Sequence, residues 1–379
     1  MNHSVRATVA AAAVAASALA VTACTRPGED RAIRDQEIGL ATAPGVTVAV
    51  VDGLAHVRTL ELSGTPTSEA TLELWAQAPV FDLVLDLDAS AAGTWTIIVG
   101  NTLADLALTA TTPSGPATAS TICAPRPTVC TSLVTLPAGR TTIHVAPSDA
   151  AGVAPWRFAV MGDIQDALPR VHEVFAAIEA EPGVRFVIST GDIVHRGRED
   201  EYQTFERQLT TLGLPFYSTI GNHELWGDID RWYRRFGRAT VHFDFRGVAF
   251  SLVDSASAGI DPTVDALLDG WLAEHAGGLH VFATHYPPID PIGLRQGSFA
   301  SRREASALLA RLAAARVDMT FYGHLHTYAG FDNAGIPAHV SGGGGAEPMR
   351  FDGIDRHFLV VDVDPTAGAI TGVRVVRVE

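Results

Sequence analysis

Positive charge is scarce in this chain of 379 residues: 27 Lys and Arg stand against 42 Asp and Glu, a formal net charge of -15. No run of Lys or Arg offsets that field, so a long polyanionic duplex would be repelled, whereas a small phosphorylated substrate neutralised by bound cations is compatible. Charged residues reach only 18% against 47% hydrophobic, which excludes extended disorder. The Ala-rich apolar run at the N terminus falls short of the ~20 residues a bilayer span requires. No internal repeat is visible. The length permits two domains, because single cores stop growing at roughly 250–300 residues.

Cysteine is nearly absent, with three in all. The first, Cys24, ends a segment that reads as an export signal: Arg6 supplies a thin positive region, Ala7 to Ala20 an Ala/Val-rich stretch, and Val21-Thr22-Ala23-Cys24 resembles a bacterial lipobox. Residues 1–24 are therefore expected to be a signal peptide with lipobox, cut before Cys24, whose acylation would anchor the exported protein to the outer face of a bacterial membrane. An ordinary cleaved signal, giving a secreted protein, and an uncleaved anchor stay open. Cys123 and Cys130 are expected to pair in that oxidising compartment, since two thiols alone cannot complete a tetrahedral zinc site.

Beyond the signal, residues 25–40 are polar and charged, with Pro27-Gly28-Glu29-Asp30-Arg31, and read as a tether. From 41 to 150 short alternating runs such as Val46 to Val51, Phe81 to Asp88, Thr94 to Val99 and Thr141 to Val145 are separated by turn residues, which predicts a small all-β sandwich. From 155 to 379 the pattern is that of a layered α/β domain. Strands are expected at Arg157 to Met161, Arg185 to Thr190, Pro215 to Ile220, Val248 to Val253, Leu279 to Thr284 and Val317 to Tyr322, with helices including Pro169 to Glu179 and Ser301 to Ala315.

Polar groups collect where these strand-like runs end: Gly162-Asp163-Ile164-Gln165, Gly191-Asp192, Gly221-Asn222-His223-Glu224, Thr284-His285-Tyr286 and Gly323-His324-Leu325-His326. In an open α/β sheet ligands bind outside the carboxyl ends of the strands, so these groups could share one crevice. Carboxylate, amide oxygen and imidazole together suit first-row divalent or trivalent metals better than calcium. There are more donors than one catalytic ion needs, and two ions ~3.5–4 Å apart can hold a hydroxide and clamp an in-line phosphoryl displacement.

Over about residues 157–345 the ordered blocks resemble those of the calcineurin-like metallophosphoesterases, D-x-H, G-D, G-N-H-[ED], a lone H and G-H-x-H. The resemblance implies a metallophosphoesterase-like β-sandwich flanked by helices and a dinuclear hydrolase of phosphate esters, whether monoester, diester or nucleotide pyrophosphate. It also implies that Asp192 bridges two ions, that Asp163 and His326 complete the first site, and that Asn222, His285 and His324 form the second. His223 would face the scissile phosphate and protonate the leaving oxygen or stabilise its charge, with Glu224 orienting it.

The first block departs from that pattern, because Gln165 stands where histidine is usual. A neutral amide oxygen is a poorer donor to soft metals, so the site should be weaker or favour manganese or iron, with zinc the alternative; Gln165 as a bystander beside one empty site is also open. D-x-Q branches that resemble this chain include manganese-dependent ADP-ribose and CDP-alcohol diphosphatases. His195 takes the place of the tyrosine ligand of purple acid phosphatases, against that branch's ferric site. Arg196 and Arg198 are read as partners of Glu199, Asp200 and Glu201 rather than of phosphate. Trp226, Trp232 and Tyr233 could stack on a base or merely pack, and Ser341 to Gly345 could let backbone approach the substrate. His242, His275 and His280, with His56, His144, His172, His339 and His357, match no block and are read as structural. The competing view is a cell-surface binding protein with a degenerate phosphoesterase domain.

Overall fold

The computed structural model describes residues 27–62, 69–293, 297–351 and 353–379, so the signal and lipobox expected over residues 1–24 lie outside the described residues. Eleven strands come first, in two sheets. The six-stranded one is ordered Leu40–Ala43, Val46–Val50, Phe81–Leu87, Gly139–Pro147, Leu106–Thr112, Gly115–Thr118, and the five-stranded one Ala55–Leu62, Glu69–Ala76, Gly93–Gly100, Val129–Leu136, Ser120–Ile122. Period-two alternation does the sorting: in Phe81–Leu87 the residues Phe81, Leu83, Leu85 and Leu87 face inward and Asp82 and Asp86 outward. They meet Leu72, Leu74, Trp95, Ile97 and Val99 of the other sheet in one core. One pairing departs from an antiparallel sandwich, since Glu69–Ala76 runs parallel to Gly93–Gly100. Cys123 and Cys130 are joined by a disulfide that closes the loop before Val129–Leu136.

The remaining strands form a second pair of sheets. One is ordered Phe216–Ser218, Val184–Ser189, Trp156–Met161, His357–Asp364, Ala369–Arg377; the other Val241–Phe245, Val248–Val253, Leu279–Thr284, Met319–Tyr322, Ile336–Ser341, Tyr328–Asn333. Their facing sides interlock through Phe158, Phe186, Tyr217, Phe243, Phe250 and Phe321. The outer sides are covered by helices, Val171–Glu179 and Glu199–Leu209 on the first sheet and Pro262–Glu274 and Arg302–Ala314 on the second. Strands enclosed on both faces read as unbroken apolar runs, as in Val248–Val253 and Leu279–Thr284, where every residue is buried. Local sequence sets the helix starts: Asp261 caps Pro262–Glu274 by accepting from Thr263 N, and Ser301 caps Arg302–Ala314 by accepting from Glu304 N.

The segment read as a tether corrects that expectation. Pro27–Glu37 is a helix docked on the second pair of sheets, with Arg31 bonded to Asp254 at 2.6 Å and Asp35 accepting from Ala239 N and Thr240 N. Arg31 and Asp35 serve buried partners, while Asp30, Gln36 and Glu37 face solvent. The two halves are also bolted together by amide side chains that mimic backbone: Asn101 exchanges hydrogen bonds with Phe216 N and O, and Gln77 with Arg238 N and O.

Candidate metal centre

Trp156–Met161, Val184–Ser189 and Phe216–Ser218 are mutually parallel, as are Val248–Val253, Leu279–Thr284, Met319–Tyr322 and Ile336–Ser341. Their carboxyl ends therefore open on one edge, and the polar blocks that follow them converge there. The backbone is bent hard to achieve this: Asp163 (φ 62°), Gln165 (φ 48°), Asp192 (φ 54°) and His324 (φ 67°) all occupy the left-handed region that non-glycine residues avoid. The motif glycines permit the close approach. A Cβ on Gly191 would lie 2.5 Å from Gly221 N, and one on Gly323 would lie 2.7 Å from Asp163 Oδ2.

Asp163, Asp192 and His285 are completely buried and offer ligand atoms within 4.8 Å of one another. Asp192 Oδ2 lies 3.3 Å from His285 Nε2 and 2.9 Å from Gln165 Nε2. On one side of it His285 Nε2 and His324 Nδ1 both reach Asn222 Oδ1, at 3.0 and 3.1 Å. On the other side His326 Nε2 lies 3.0 Å from Gln165 Nε2 and 3.5 Å from Asp163 Oδ1. All seven residues named from sequence as ligands are thus together, in two groups that meet at Asp192. Gln165 turns its amide nitrogen to Asp192; a half-turn of the terminal amide would present the oxygen in its place.

Backbone carbonyls fix the imidazoles. His285 Nδ1 donates to Thr190 O, His326 Nδ1 to Glu347 O and His223 Nδ1 to His195 O, at 2.9, 2.7 and 2.6 Å, so each ring turns Nε2 into the centre. His223 Nε2 stops 3.8 Å from Asp192 Oδ2. Glu224 does something other than orient His223. Its carboxylate accepts from Gly221 N, Asp192 N and Val194 N and ties the Asp192 loop to the Asn222 loop. Burial and the neighbouring Asp192 charge push Glu224 up to about 8, against those donors. Burial would also raise Asp192, but the facing His285 and His223 rings outweigh it and hold that carboxyl below the usual range. Burial would lower His285, yet Asp192 brings it up to about 9.

The centre opens into a cleft of about 640 Å³ whose walls include Asp166, His195, Trp226, Glu347 and Met349. Among the described residues lining it none is Lys or Arg. Buried carboxylates at this spacing with imidazole and amide donors fit cations, which an anionic ligand here would also require. Of the three aromatics weighed from sequence, Trp232 and Tyr233 are core residues and only Trp226 reaches the cleft, 59% exposed and stacked on His223 at 4.0 Å. Arg198 pairs with Asp200 and Glu201. The glycines after Ser341 approach the protein's own loops: Gly344 N donates to Gly162 O, and a Cβ on Gly342 would meet Leu325 O at 2.3 Å. Glu347 and Met349 escaped the sequence reading, and Tyr286, part of the His285 block, was given no role there although its ring lies 3.9 Å from that of His324.

Residues 157–328 match the family model described as calcineurin-like phosphoesterase. A Rhodopseudomonas palustris protein named as a probable cyclic nucleotide phosphodiesterase is 28% identical over 194 residues, 47% of this chain and 70% of that protein. Among solved structures, a purple acid phosphatase from yellow lupin (Lupinus luteus) seeds aligns with a TM-score of 0.48 at 15% identity, over 79% of this chain and 72% of that one. A dimetal phosphatase from Danio rerio aligns at 0.46 and 13% identity, over 59% of this chain and 99% of that one.

Proposed function

We propose that the protein, whose residues 157–328 match the calcineurin-like phosphoesterase family model, is a two-cation hydrolase of phosphoester bonds acting on small phosphorylated substrates, with a phosphodiester as the bond we place first. The observation that carries this is the pair of donor groups meeting at Asp192, at the floor of a cleft that no Lys or Arg lines among the described residues. Asp163, Gln165, Asp192 and His326 would hold one cation, and Asp192, Asn222, His285 and His324 the other. Manganese or iron suits the amide at Gln165, with zinc the alternative. When bound, the ions would neutralise the phosphate and supply an activated water.

The chain's own residues would do the rest. His223, its Nδ1 proton held by the His195 carbonyl, presents Nε2 to the cleft as the atom that passes a proton to the leaving oxygen. Trp226 keeps that ring flat against its own and forms an apolar wall suited to an aromatic leaving group or base. The diester preference follows the name of the Rhodopseudomonas palustris relative. The cleft volume lies within the range of small-molecule sites, and the net charge of -15 disfavours a nucleic-acid polymer. Export, with a lipid anchor at Cys24, rests on residues 1–24 and puts the activity at the outer face of a membrane.

The test is a panel of an activated aryl phosphate, an activated aryl diester and a nucleotide pyrophosphate, each assayed with metal-stripped protein and after manganese, iron or zinc is returned. Metal-dependent turnover, largest on the diester, is expected. Protein that binds metal but hydrolyses none of the three would instead be the degenerate surface binder.

A further inference from the structure

A second group of imidazoles lies on the helix-covered face of the sheet that contains Leu279–Thr284, at its edge strand Val241–Phe245. Alternation along Val241–Phe245 sends Phe243 and Phe245 into the core between the sheets and leaves His242 and Asp244 side by side on the other face. His275, the residue that closes the helix Pro262–Glu274, comes down beside them. His242 Nε2 lies 3.0 Å from His275 Nε2, and His275 Nδ1 lies 3.5 Å from Asp244 Oδ1. One ring nitrogen from each histidine and one Asp244 oxygen lie within 4.8 Å of one another.

The rings are held in place from behind. His242 Nδ1 is bonded to Ser251 Oγ at 2.9 Å, Ser251 Oγ in turn lies 2.9 Å from His280 Nε2, and Trp271 stacks on His242 at 4.8 Å and 7°. That leaves Nε2 as the free corner of His242, aimed at His275. Without metal, one choice of tautomers runs a single directional chain through these contacts, with His280 donating to Ser251, Ser251 to His242, His242 to His275, and His275 to Asp244. The last contact is long for a hydrogen bond, at 3.5 Å.

We infer that His242, Asp244 and His275 form a second, structural metal site that takes a zinc-type divalent ion and fastens the end of the helix Pro262–Glu274 to the hairpin of Val241–Phe245 and Val248–Val253. Two histidine nitrogens on a tetrahedral zinc, each at ~2.0–2.1 Å, stand roughly 3.3 Å apart, close to the separation already present. With the ion on Nε2, the His242 ring carries its proton on Nδ1 and donates it to Ser251 Oγ, so the exchange is one of tautomer and needs little movement of either ring. The Asp244 side chain, 61% exposed, is free to swing in as the third ligand, and water would fill the fourth position. Two nitrogens and one oxygen select zinc, nickel or copper(II) over manganese, and Ser251 behind His242 supplies the supporting bond such ligands carry.

The test counts zinc by competition with a chromophoric chelator in wild type, His275→Gln and Asp244→Asn. The centre at Asp192 is common to all three, so the difference reports this site alone. Wild type is expected to take one more zinc per chain than either variant, and zinc should raise its Tm by more than it raises theirs, with phosphoester hydrolysis unchanged. Asp244→Asn alters an exposed side chain and keeps the test valid if His275→Gln fails to fold. Equal zinc counts in wild type and Asp244→Asn, with equal shifts in Tm, would overturn the inference.

Discussion

His285 and His339 belong to strands of one sheet, His339 within Ile336–Ser341 and His285 directly after Leu279–Thr284, yet their chemistry runs in opposite directions. Burial against Phe321 and Tyr328 lowers His339 to about 4. Burial acts on His285 too, but the facing Asp192 carboxylate reverses the outcome and raises it to about 9. A buried imidazole is by itself a neutral packing group; a carboxylate that cannot escape makes it part of a centre. The backbone draws the same line. Asp163, Gln165, Asp192 and His324 are four of the ten described non-glycine residues with positive φ, whereas His339 lies in regular strand. Strain has been accepted where donors must converge.

The change that should break the contrast most completely is Asp192→Asn. It removes the one carboxylate common to both donor groups, so hydrolysis should fall well beyond the roughly 100-fold that loss of a supporting group costs, with bound metal lost in parallel; metal analysis beside the rate would show both. Next comes His223→Gln. If His223 passes the proton, kcat should drop by about 10²–10⁴ while metal content stays at the wild-type level, and an activated leaving group should recover part of the rate.

The third prediction concerns stability. The His339 pKa is depressed in the folded state, so the unfolded chain binds the extra proton between pH 6.5 and about 4. The stabilisation is fully present above pH 6.5 and is lost as pH falls through about 4, on the order of 2 kcal/mol. Urea denaturation at pH 7 and pH 4.5 should show that His339→Gln loses less on acidification than wild type. The smallest effect is expected from Gln165→His, which returns an imidazole to the first donor group. Zinc should then bind that group several-fold more tightly relative to manganese, read by competition between the two ions; an unchanged preference would mean that residue 165 is no ligand.

Much of the centre was legible in the sequence because motif chemistry is local. Each candidate ligand lies within a few residues of the end of an apolar run, and strands at Val248–Val253 and Leu279–Thr284 were bounded to the residue by that rule. The helix predicted over Ser301 to Ala315 spans Arg302–Ala314 for the same reason, its cap being written in Ser301 and Glu304. Long-range partners were not legible. The charges of Pro27–Glu37 resemble those of a solvated tether until Asp254, Ala239 and Thr240 are seen facing them. Glu224 follows His223 in sequence, but its work is on Gly221, Asp192 and Val194. His242 and His275 are separated by 33 positions and meet only because a helix folds back over a hairpin.

The central claim is that two cations share Asp192, and hydrolysis of an activated aryl diester by metal-stripped protein tests it most directly. Manganese should restore turnover to wild type and leave Asp192→Asn inactive although it is folded by circular dichroism. Equal rates before and after metal, or an Asp192→Asn variant as active as wild type, would contradict it.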